Sequence, residues 1–290
     1  MRARGALSLS LLSLASLASL APGCDGDVAY IGRQVDSVGS ASCAPACGAT
    51  AGACGLDYCA SLPRLSGAPR IDGILDCGLA LASIDLTHWH GPDAKPGDLS
   101  ADYAAAWTDG GIYVFVHVRK SQRAPAPAPP GGKVYCGDAV HVFVDSDGHF
   151  AAPPAYDDRG TRQLVAEAPA SDSTSVSIGT VYATSASAPG TGVWTASRFR
   201  TFPASDGYVL ETVVTAEDLA LASFRPAVGQ TIGFDLSVSY GGSPSAYPND
   251  PSCLKRGDFL LRAVAASMSE SGLPHDDVNA FCTPTLGAAL

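Results

Sequence analysis

The sequence predicts an all-β protein, an antiparallel β-sandwich with few short helical turns. Its 290 residues include 31 glycines and 21 prolines, above the usual combined share of about 12%, and such an excess goes to turns and loops. Apolar runs at 112–118 and 139–145 are rich in β-branched and aromatic residues; a turn signal precedes the first and another ends the second. Helix signals are almost absent. These three observations favour many short strands joined by hairpins.

The predicted strands follow one another at short spacing. Runs 104–107 and 112–118 flank the turn Thr108–Gly111, which predicts a hairpin. Thr215–Leu219 carries the one helix signal, a single capped turn after a strand. The further predicted strands are 139–145, 163–167, 176–182, 193–199, 208–215, 231–240 and 259–264.

Composition excludes several classes of protein. A formal net charge of −10 with only 18 basic residues argues against a basic surface that binds the phosphate backbone of nucleic acid. A hydrophobic content of 46% is too high for a disordered chain. The sequence has no Gly-x-Ser-x-Gly elbow, His-Glu-x-x-His helix or Walker-type loop. Binding is therefore favoured over catalysis, although an aspartate pair acting on glycosidic bonds remains an alternative.

The N-terminus predicts export. Residues 1–23 have a basic start followed by an apolar stretch, which is the plan of a signal peptide. The segment Leu20–Cys24 resembles a bacterial lipobox, so we expect Cys24 to carry lipid and to anchor the protein to the outer membrane or cell surface. The alternative is an ordinary secretory signal that leaves Cys24 free or paired. No later run reaches the roughly 18 apolar residues that a membrane-spanning helix needs.

The remaining eight cysteines predict disulfides. An even set in an oxidising compartment indicates four bridges, and the simplest pairing joins the first four among themselves and the last four among themselves. A zinc site at the first four is the alternative. The eight are Cys43, Cys47, Cys54, Cys59, Cys77, Cys136, Cys253 and Cys282.

Composition along the chain divides it into four parts. Residues 24–66 are small, polar and glycine-rich, which predicts a cysteine-rich tether after the signal peptide. Residues 67–266 contain the predicted strands and form the predicted folded domain. Residues 267–290 are left as a C-terminal tail that a disulfide can tether.

Five motifs in order carry a resemblance to a known family. They are Arg70–Asp76 (RIDGILD), Ala106–Val114, Cys136–Asp145, Tyr208–Val214 followed by Glu217–Leu219, and Gly229–Asp235. This series resembles carbohydrate-binding module family 9 and its DOMON-like relatives over about residues 68–265. The resemblance implies a jelly-roll or immunoglobulin-like sandwich that binds a saccharide without catalysis. Two residues depart from the family pattern: Cys77 stands at a usually acidic position, and His141 replaces a glutamate.

The resemblance also implies a sugar held between aromatic side chains. Trp107 matches the family's hairpin tryptophan and is assigned to the core, which leaves Trp89 and Trp194 as candidate platforms. The alternative for both is ordinary half-buried packing. Polar partners chosen from strand positions in the matched motifs are Arg119, Asp138 and Gln163.

Acidic residues near a turn suggest a structural calcium ion. Asp145, Asp147, Asp157 and Asp158 supply the oxygen ligands that calcium prefers. An EF-hand is excluded because Tyr156 stands where its twelfth residue would be glutamate. The alternative is a solvated acidic turn. His88 and His90 form a short pair that could hold copper or zinc, but no third ligand is indicated. No cofactor is required.

The sequence therefore predicts an exported, lipid-anchored protein that holds a polysaccharide or oligosaccharide without turning it over, and that binds no nucleic acid. One alternative is a surface adhesion or envelope-structural protein that has lost sugar binding. The other is a hydrolase acting on glycans. Exposure of Trp89 or Trp194 beside polar groups in a groove would favour sugar binding.

Overall fold

The computed structural model describes residues 57–76, 78–84, 88–91, 95–124, 134–146, 160–170, 179–182, 192–193, 199–219, 221–242, 253–261 and 280–289. Several predictions concern residues outside these ranges: the signal peptide, Cys24, Cys43, Cys47, Cys54, Cys77, Trp194, Asp147, Asp157 and Asp158.

Fourteen strands make up the secondary structure of the described residues, which contain no α-helix. No helix there is long and apolar enough to cross a membrane. The strands are β1 (Ser61–Arg64), β2 (Ala82–Ser83), β3 (Trp89–His90), β4 (Leu99–Thr108), β5 (Gly111–Lys120), β6 (Ala139–Asp145), β7 (Thr161–Glu167), β8 (Gly179–Tyr182), β9 (Gly192–Val193), β10 (Phe199–Ala204), β11 (Gly207–Thr215), β12 (Gly233–Gly241), β13 (Lys255–Leu260) and β14 (Thr285–Ala289).

The strands form two sheets. Sheet 1 has the order β10-β11-β5-β4-β1-β14, with β2 beside β4, and sheet 2 has the order β3-β13-β12-β6-β7-β8-β9. All pairings are antiparallel except those of β1, which runs parallel to both β4 and β14. The predicted all-β, antiparallel sandwich is confirmed.

The hydrophobic core lies between the sheets. Alternate residues of β5, β6 and β12 face this core, among them Val116, Val142 and Leu236, each with no exposed surface. Trp107 is also buried, as predicted, and its indole Nε1 donates to the Gly287 carbonyl over 2.9 Å. The long apolar strands form because burying such rows of side chains outweighs the entropy of ordering them.

The central hairpin joins β4 to β5 through the predicted turn. The Gly110 amide donates to Thr108 Oγ1 over 3.0 Å. Gly111 has a φ of 150°, and a Cβ atom there would lie 2.1 Å from the Val214 carbonyl oxygen of β11. Glycine at this position therefore lets β11 pair closely with the start of β5.

The capped turn predicted at Thr215–Leu219 is also present. The Thr215 amide and hydroxyl donate to Asp218 Oδ2 over 2.8 and 2.7 Å, and the Leu219 amide donates to the Thr215 carbonyl over 3.1 Å. The turn ends β11 and leads the chain away from sheet 1.

The sandwich extends beyond the predicted bounds of 67–266 at both ends. β1 and β14 belong to sheet 1, and Tyr58, Leu62 and Leu286 have no exposed surface. The Tyr58 hydroxyl donates to the Ala80 carbonyl over 2.6 Å. These strands have only four and five residues, which is too short to show a periodicity in the sequence.

Two disulfides join described cysteines. Cys136 pairs with Cys253, both from the later group, as the simplest pairing predicts. Cys59 pairs with Cys282, so the predicted pairing of the first four cysteines among themselves is wrong for Cys59. The same disulfide excludes a zinc site that includes Cys59. The reason lies in the topology, because β14 returns beside β1 and brings Cys282 to within 4.9 Å of Cys59, Cα to Cα.

Candidate functional site

A row of hydrogen-bonded polar side chains crosses the face of sheet 2 that points away from sheet 1. The row spans β7, β6, β12 and β13, which are neighbours in the sheet. Its members alternate with core residues such as Val142, Val238 and Phe259, so they point to the opposite face. We call this row the polar chain; its members are Gln163, His141, Ser239, Asp258 and Lys255.

The distances within the polar chain are those of good hydrogen bonds. Gln163 Nε2 lies 2.8 Å from His141 Nδ1, and His141 Nε2 lies 2.7 Å from Ser239 Oγ. The Ser239 hydroxyl donates to Asp258 Oδ1 over 2.7 Å, and Lys255 Nζ lies 2.7 Å from Asp258 Oδ2.

The contacts around Ser239 show the direction of the hydrogen bonds next to Asp258. Because the Ser239 hydroxyl donates to Asp258, it accepts from an Nε2–H of His141. The side-chain amide of Gln163 contacts Nδ1 of the same ring. The Ser239 hydroxyl and the Lys255 ammonium both contact the carboxylate of Asp258.

The centre of the polar chain is shielded from water. Ser239, His141, Asp258 and Lys255 are all buried, whereas Gln163 is half-buried. Burial opposes ionisation of Asp258, but the charges of Lys255 and His141 and the hydrogen bonds from Lys255 and Ser239 outweigh it and lower the pKa of Asp258. The carboxylate is therefore ionised at neutral pH and acts as an acceptor.

Aromatic rings flank the polar chain at two points. Tyr135, half-buried in the segment before β6, has its ring centre 6.0 Å from Lys255 Nζ. Phe143 stacks on His141 at 6.1 Å and packs against Phe281 at 5.6 Å. Phe281 of the C-terminal segment thus covers Phe143, and Tyr135 is the more accessible of the two aromatic residues beside the polar chain.

The serine, histidine and aspartate of the polar chain are not arranged for nucleophilic catalysis. In a catalytic triad, the serine hydroxyl donates to histidine, and the carboxylate orients the histidine ring. Here the Ser239 hydroxyl donates to the carboxylate instead, and Ser239 has no exposed surface. The arrangement can position polar groups but does not generate a nucleophile.

Trp89 packs at the edge of sheet 2 and is half-buried. Its ring meets Phe259 at 4.8 Å and Tyr240 edge-on at 6.3 Å. It also lies over Gly91 and Gly257, where a Cβ atom would come within 2.5 Å of the ring. Trp89 therefore faces the core side of its strand, away from the polar chain.

Asp138 does not fit the predicted role of a ligand contact. It has no exposed surface, and its carboxylate oxygens lie 2.7 and 2.9 Å from Lys120 Nζ. It also accepts hydrogen bonds from the amides of Gly241, over 2.7 Å, and Ala124. The carboxylate is occupied by four internal contacts, which leaves Asp138 a structural role at the end of the sandwich.

Arg119 lies on the outer face of sheet 1, across the sandwich from Gln163. Its guanidinium bonds Asp102 and lies 3.3 Å from Asp206, which also contacts His117 Nε2 at 3.0 Å. The structure therefore does not bring Arg119 and Gln163 into one site. An alternating strand pattern shows which residues share a face, but not which face of the sandwich that is.

The predicted metal residues are only partly covered by the structure. Asp145 is fully buried at the end of β6. Within the described ranges, no three His, Cys, Asp or Glu side chains are grouped so that they could hold a metal ion. His88 and His90, at the β3 edge, belong to no such group.

Four members of the polar chain and Tyr135 were not predicted as ligand residues. His141 was visible as a departure from the family pattern. Ser239 alternates with the apolar residues Leu236 and Val238, but such polar positions also occur on any solvated strand face. The pairing of β12 with β6 and β13, which assembles the row, is not encoded in local sequence.

Solved structures with a similar fold are carbohydrate-binding modules of family 9 from Caldicellulosiruptor kristjanssonii. One, in complex with cellotriose, has a TM-score of 0.52 and 17% sequence identity, covering 79% of this chain and 95% of the module. Another, in complex with glucose, has a TM-score of 0.49 and 18% identity, covering 79% of this chain and 97% of the module. The sequence matches no family model and no curated protein. The predicted family-9-like fold is confirmed.

Proposed function

We propose that this protein binds an oligosaccharide or polysaccharide on the outer face of sheet 2 and does not turn it over. The polar chain beside the half-buried ring of Tyr135 is the observation that supports this most directly. The likeness of the fold to a module that holds cellotriose gives independent support.

The chemistry of the face suits a sugar. Saccharides present hydroxyl groups, which both donate and accept, together with apolar C–H faces that stack on aromatic rings. Gln163, the half-buried end of the polar chain, supplies a side-chain amide, and Tyr135, beside the buried Lys255 end, supplies a ring. Trp194 remains a proposed second platform, and Trp89 is assigned to packing.

Binding without turnover is favoured by the single carboxylate of the polar chain. Glycosidases use two carboxyl groups about 5 to 9.5 Å apart on either side of the scissile bond. The polar chain contributes one carboxylate, that of Asp258, which is already held by Lys255 and Ser239.

The test is a glycan array followed by calorimetry on the mature full chain. Tyr135→Ala should weaken binding about tenfold, since a stacked ring contributes about 1 to 1.5 kcal/mol. Arg119→Ala, on the opposite face, is the matched control and should leave the affinity unchanged. If the wild-type protein binds no polysaccharide or soluble oligosaccharide, the proposal fails and the adhesion or envelope-structural alternative is favoured.

We also propose that the protein is exported and anchored by lipid on Cys24. The signal-like N-terminus and the two disulfides, which require an oxidising compartment, support export. Mass spectrometry of the mature protein should find an N-terminal lipidated Cys24, and Cys24→Ser should release the protein from the membrane fraction. A mature chain that carries no lipid on Cys24 would refute the anchor.

A structural calcium ion at Asp145, Asp147, Asp157 and Asp158 is a further proposal. It is supported by the sequence spacing and by the fixed position of Asp145 at the end of β6. The thermal midpoint should rise with added calcium in the wild-type protein and not in Asp147→Asn. An identical midpoint with calcium and with a chelator would exclude the ion.

A further inference from the structure

The disulfide between Cys136 and Cys253 joins the two segments that flank the polar chain. Cys136 follows Tyr135 directly, and Cys253 lies two residues before Lys255. Both cysteines are buried, with 4% and 1% of their surfaces exposed. The bridge therefore connects the backbone beside the aromatic flank to the backbone beside the terminal lysine.

Backbone hydrogen bonds extend this connection. The Leu254 amide donates to the Cys136 carbonyl over 2.6 Å, and the Gly242 amide donates to the Leu254 carbonyl over 2.8 Å. The segment before β13 is thus held between the segment before β6 and the end of β12. Lys255 follows this segment directly. Its Nζ lies 2.7 Å from Asp258 Oδ2 and 6.0 Å from the ring centre of Tyr135.

We infer that the Cys136–Cys253 disulfide is a positioning device for the binding face. It holds Tyr135 at a fixed spacing from Lys255, the buried end of the polar chain, so that the ring meets the ligand without first being ordered. Preorganisation of this kind raises affinity because the entropy of fixing side chains is lost during folding instead of during binding. The inference rests on the proposed saccharide function of the same face.

The second disulfide provides an internal control. Cys59–Cys282 joins the segments that lead into β1 and β14 of sheet 1, and its link to the polar chain runs from Phe281 through Phe143 to His141, away from Tyr135. The two bridges span 117 and 223 residues. In the chain-entropy account the stabilisation grows only with the logarithm of loop length, so removing either bridge should cost similar stability.

The experiment compares two double variants of the full chain, Cys136→Ala/Cys253→Ala and Cys59→Ala/Cys282→Ala. Calorimetry with the oligosaccharide selected on the array should show a threefold to tenfold loss of affinity in the first, as expected for about one side chain that must be ordered on binding. The second should stay within twofold of the wild type. Equal losses in both variants, or no loss in the first, would overturn the inference.

Amide hydrogen exchange in the ligand-free protein separates this inference from the proposed function. Removing Cys136–Cys253 should speed exchange at Leu254 and Gly242 and leave the amides at the centre of β12 protected. If the wild-type protein binds no glycan, the proposed function fails, and faster exchange at these two amides still supports the positioning role. Unchanged exchange there would refute it whether or not sugar binds.

Discussion

Glu211 is a buried carboxylate that holds an irregular segment against sheet 1. Its Oε2 accepts hydrogen bonds from the amides of Asp72 and Gly73 over 2.7 and 2.6 Å, and its Oε1 accepts from the Tyr113 hydroxyl over 2.7 Å. Burial, aided by the charges of Asp72 and Asp76, raises the pKa of Glu211 to about 8, although the hydrogen bonds oppose the rise. Glu211 thus ties the Arg70–Asp76 motif of the sequence to β11.

This raised pKa predicts a pH-dependent stability. The folded protein binds a proton at Glu211 more tightly than the unfolded chain, whose carboxyl has a pKa near 4.5. The contribution is fully present below pH 4.5 and is lost as pH rises toward 8. Urea unfolding of the wild type between pH 5 and pH 9 should show a free energy of unfolding that falls by a few kcal/mol, at about 1.4 kcal/mol per pKa unit.

Glu211→Gln is the control for this pH dependence. Its amide keeps an acceptor for the two backbone donors and cannot ionise, so the fall in stability between pH 5 and pH 8 should largely disappear. An equally steep fall in the variant would assign the effect to other groups.

Asp138 and Lys120 form a buried ion pair whose loss should affect stability and not binding. The Lys120 ammonium contacts both Asp138 oxygens and the Gly241 carbonyl at 2.8 Å, and it lies 3.8 Å from the ring centre of Tyr240. Lys120→Met leaves a buried charge unpaired, so we expect a loss of about 3 to 5 kcal/mol in the free energy of unfolding. Lys120→Met/Asp138→Asn should recover part of it.

Ligand affinity distinguishes this structural role from the one the sequence suggested. Calorimetry on Asp138→Asn, where it remains folded, should give the wild-type affinity. A large loss of affinity in a folded Asp138→Asn protein would restore Asp138 as a ligand contact.

At the scale of the strand, predictability followed length and apolar content. β4, β5, β6, β11 and β12 have seven to ten residues and form the centres of the two sheets. Their side-chain alternation and bounding turns are visible locally, so β5, β6, β11 and β12 were predicted nearly in place, whereas only residues 104–107 of β4 were predicted. β1 and β14 have four and five residues and gain their stability from parallel pairing with each other, a long-range contact that no local pattern shows.

The candidate site was less predictable than the fold, because it is assembled across strands. Gln163 is predicted as a ligand contact from its strand position, and His141 departs from the family pattern. Their contact requires β6 to pair with β7, and the link to Ser239 requires β6 to pair with β12. Arg119 has the same local appearance as Gln163 and lies on the other sheet. Residue type and alternation along one strand do not show which strands pair or on which sheet a residue lies.

At the scale of the whole molecule, the two ends of the described chain close the sandwich together. β1 lies between β4 and β14, and the Cys59–Cys282 bridge joins their approaches. Tyr58, Leu62 and Leu286 contribute fully buried side chains to the core from outside residues 67–266. Removing such side chains from a core costs about 2 to 5 kcal/mol each, a large part of a domain's total stability.

The folding unit should therefore be residues 57–290 and not the shorter domain that composition suggests. We expect 57–290 to unfold in one cooperative transition, and 67–266 to show a much lower midpoint or no transition, by circular dichroism and calorimetry. In 57–290, Cys59→Ala/Cys282→Ala separates the effect of the disulfide from that of the end strands. This variant should have a lower midpoint and keep a cooperative transition, because β1 and β14 still pair. If 67–266 unfolds cooperatively at the midpoint of 57–290, the end strands are accessory and the interior strands alone specify the sandwich.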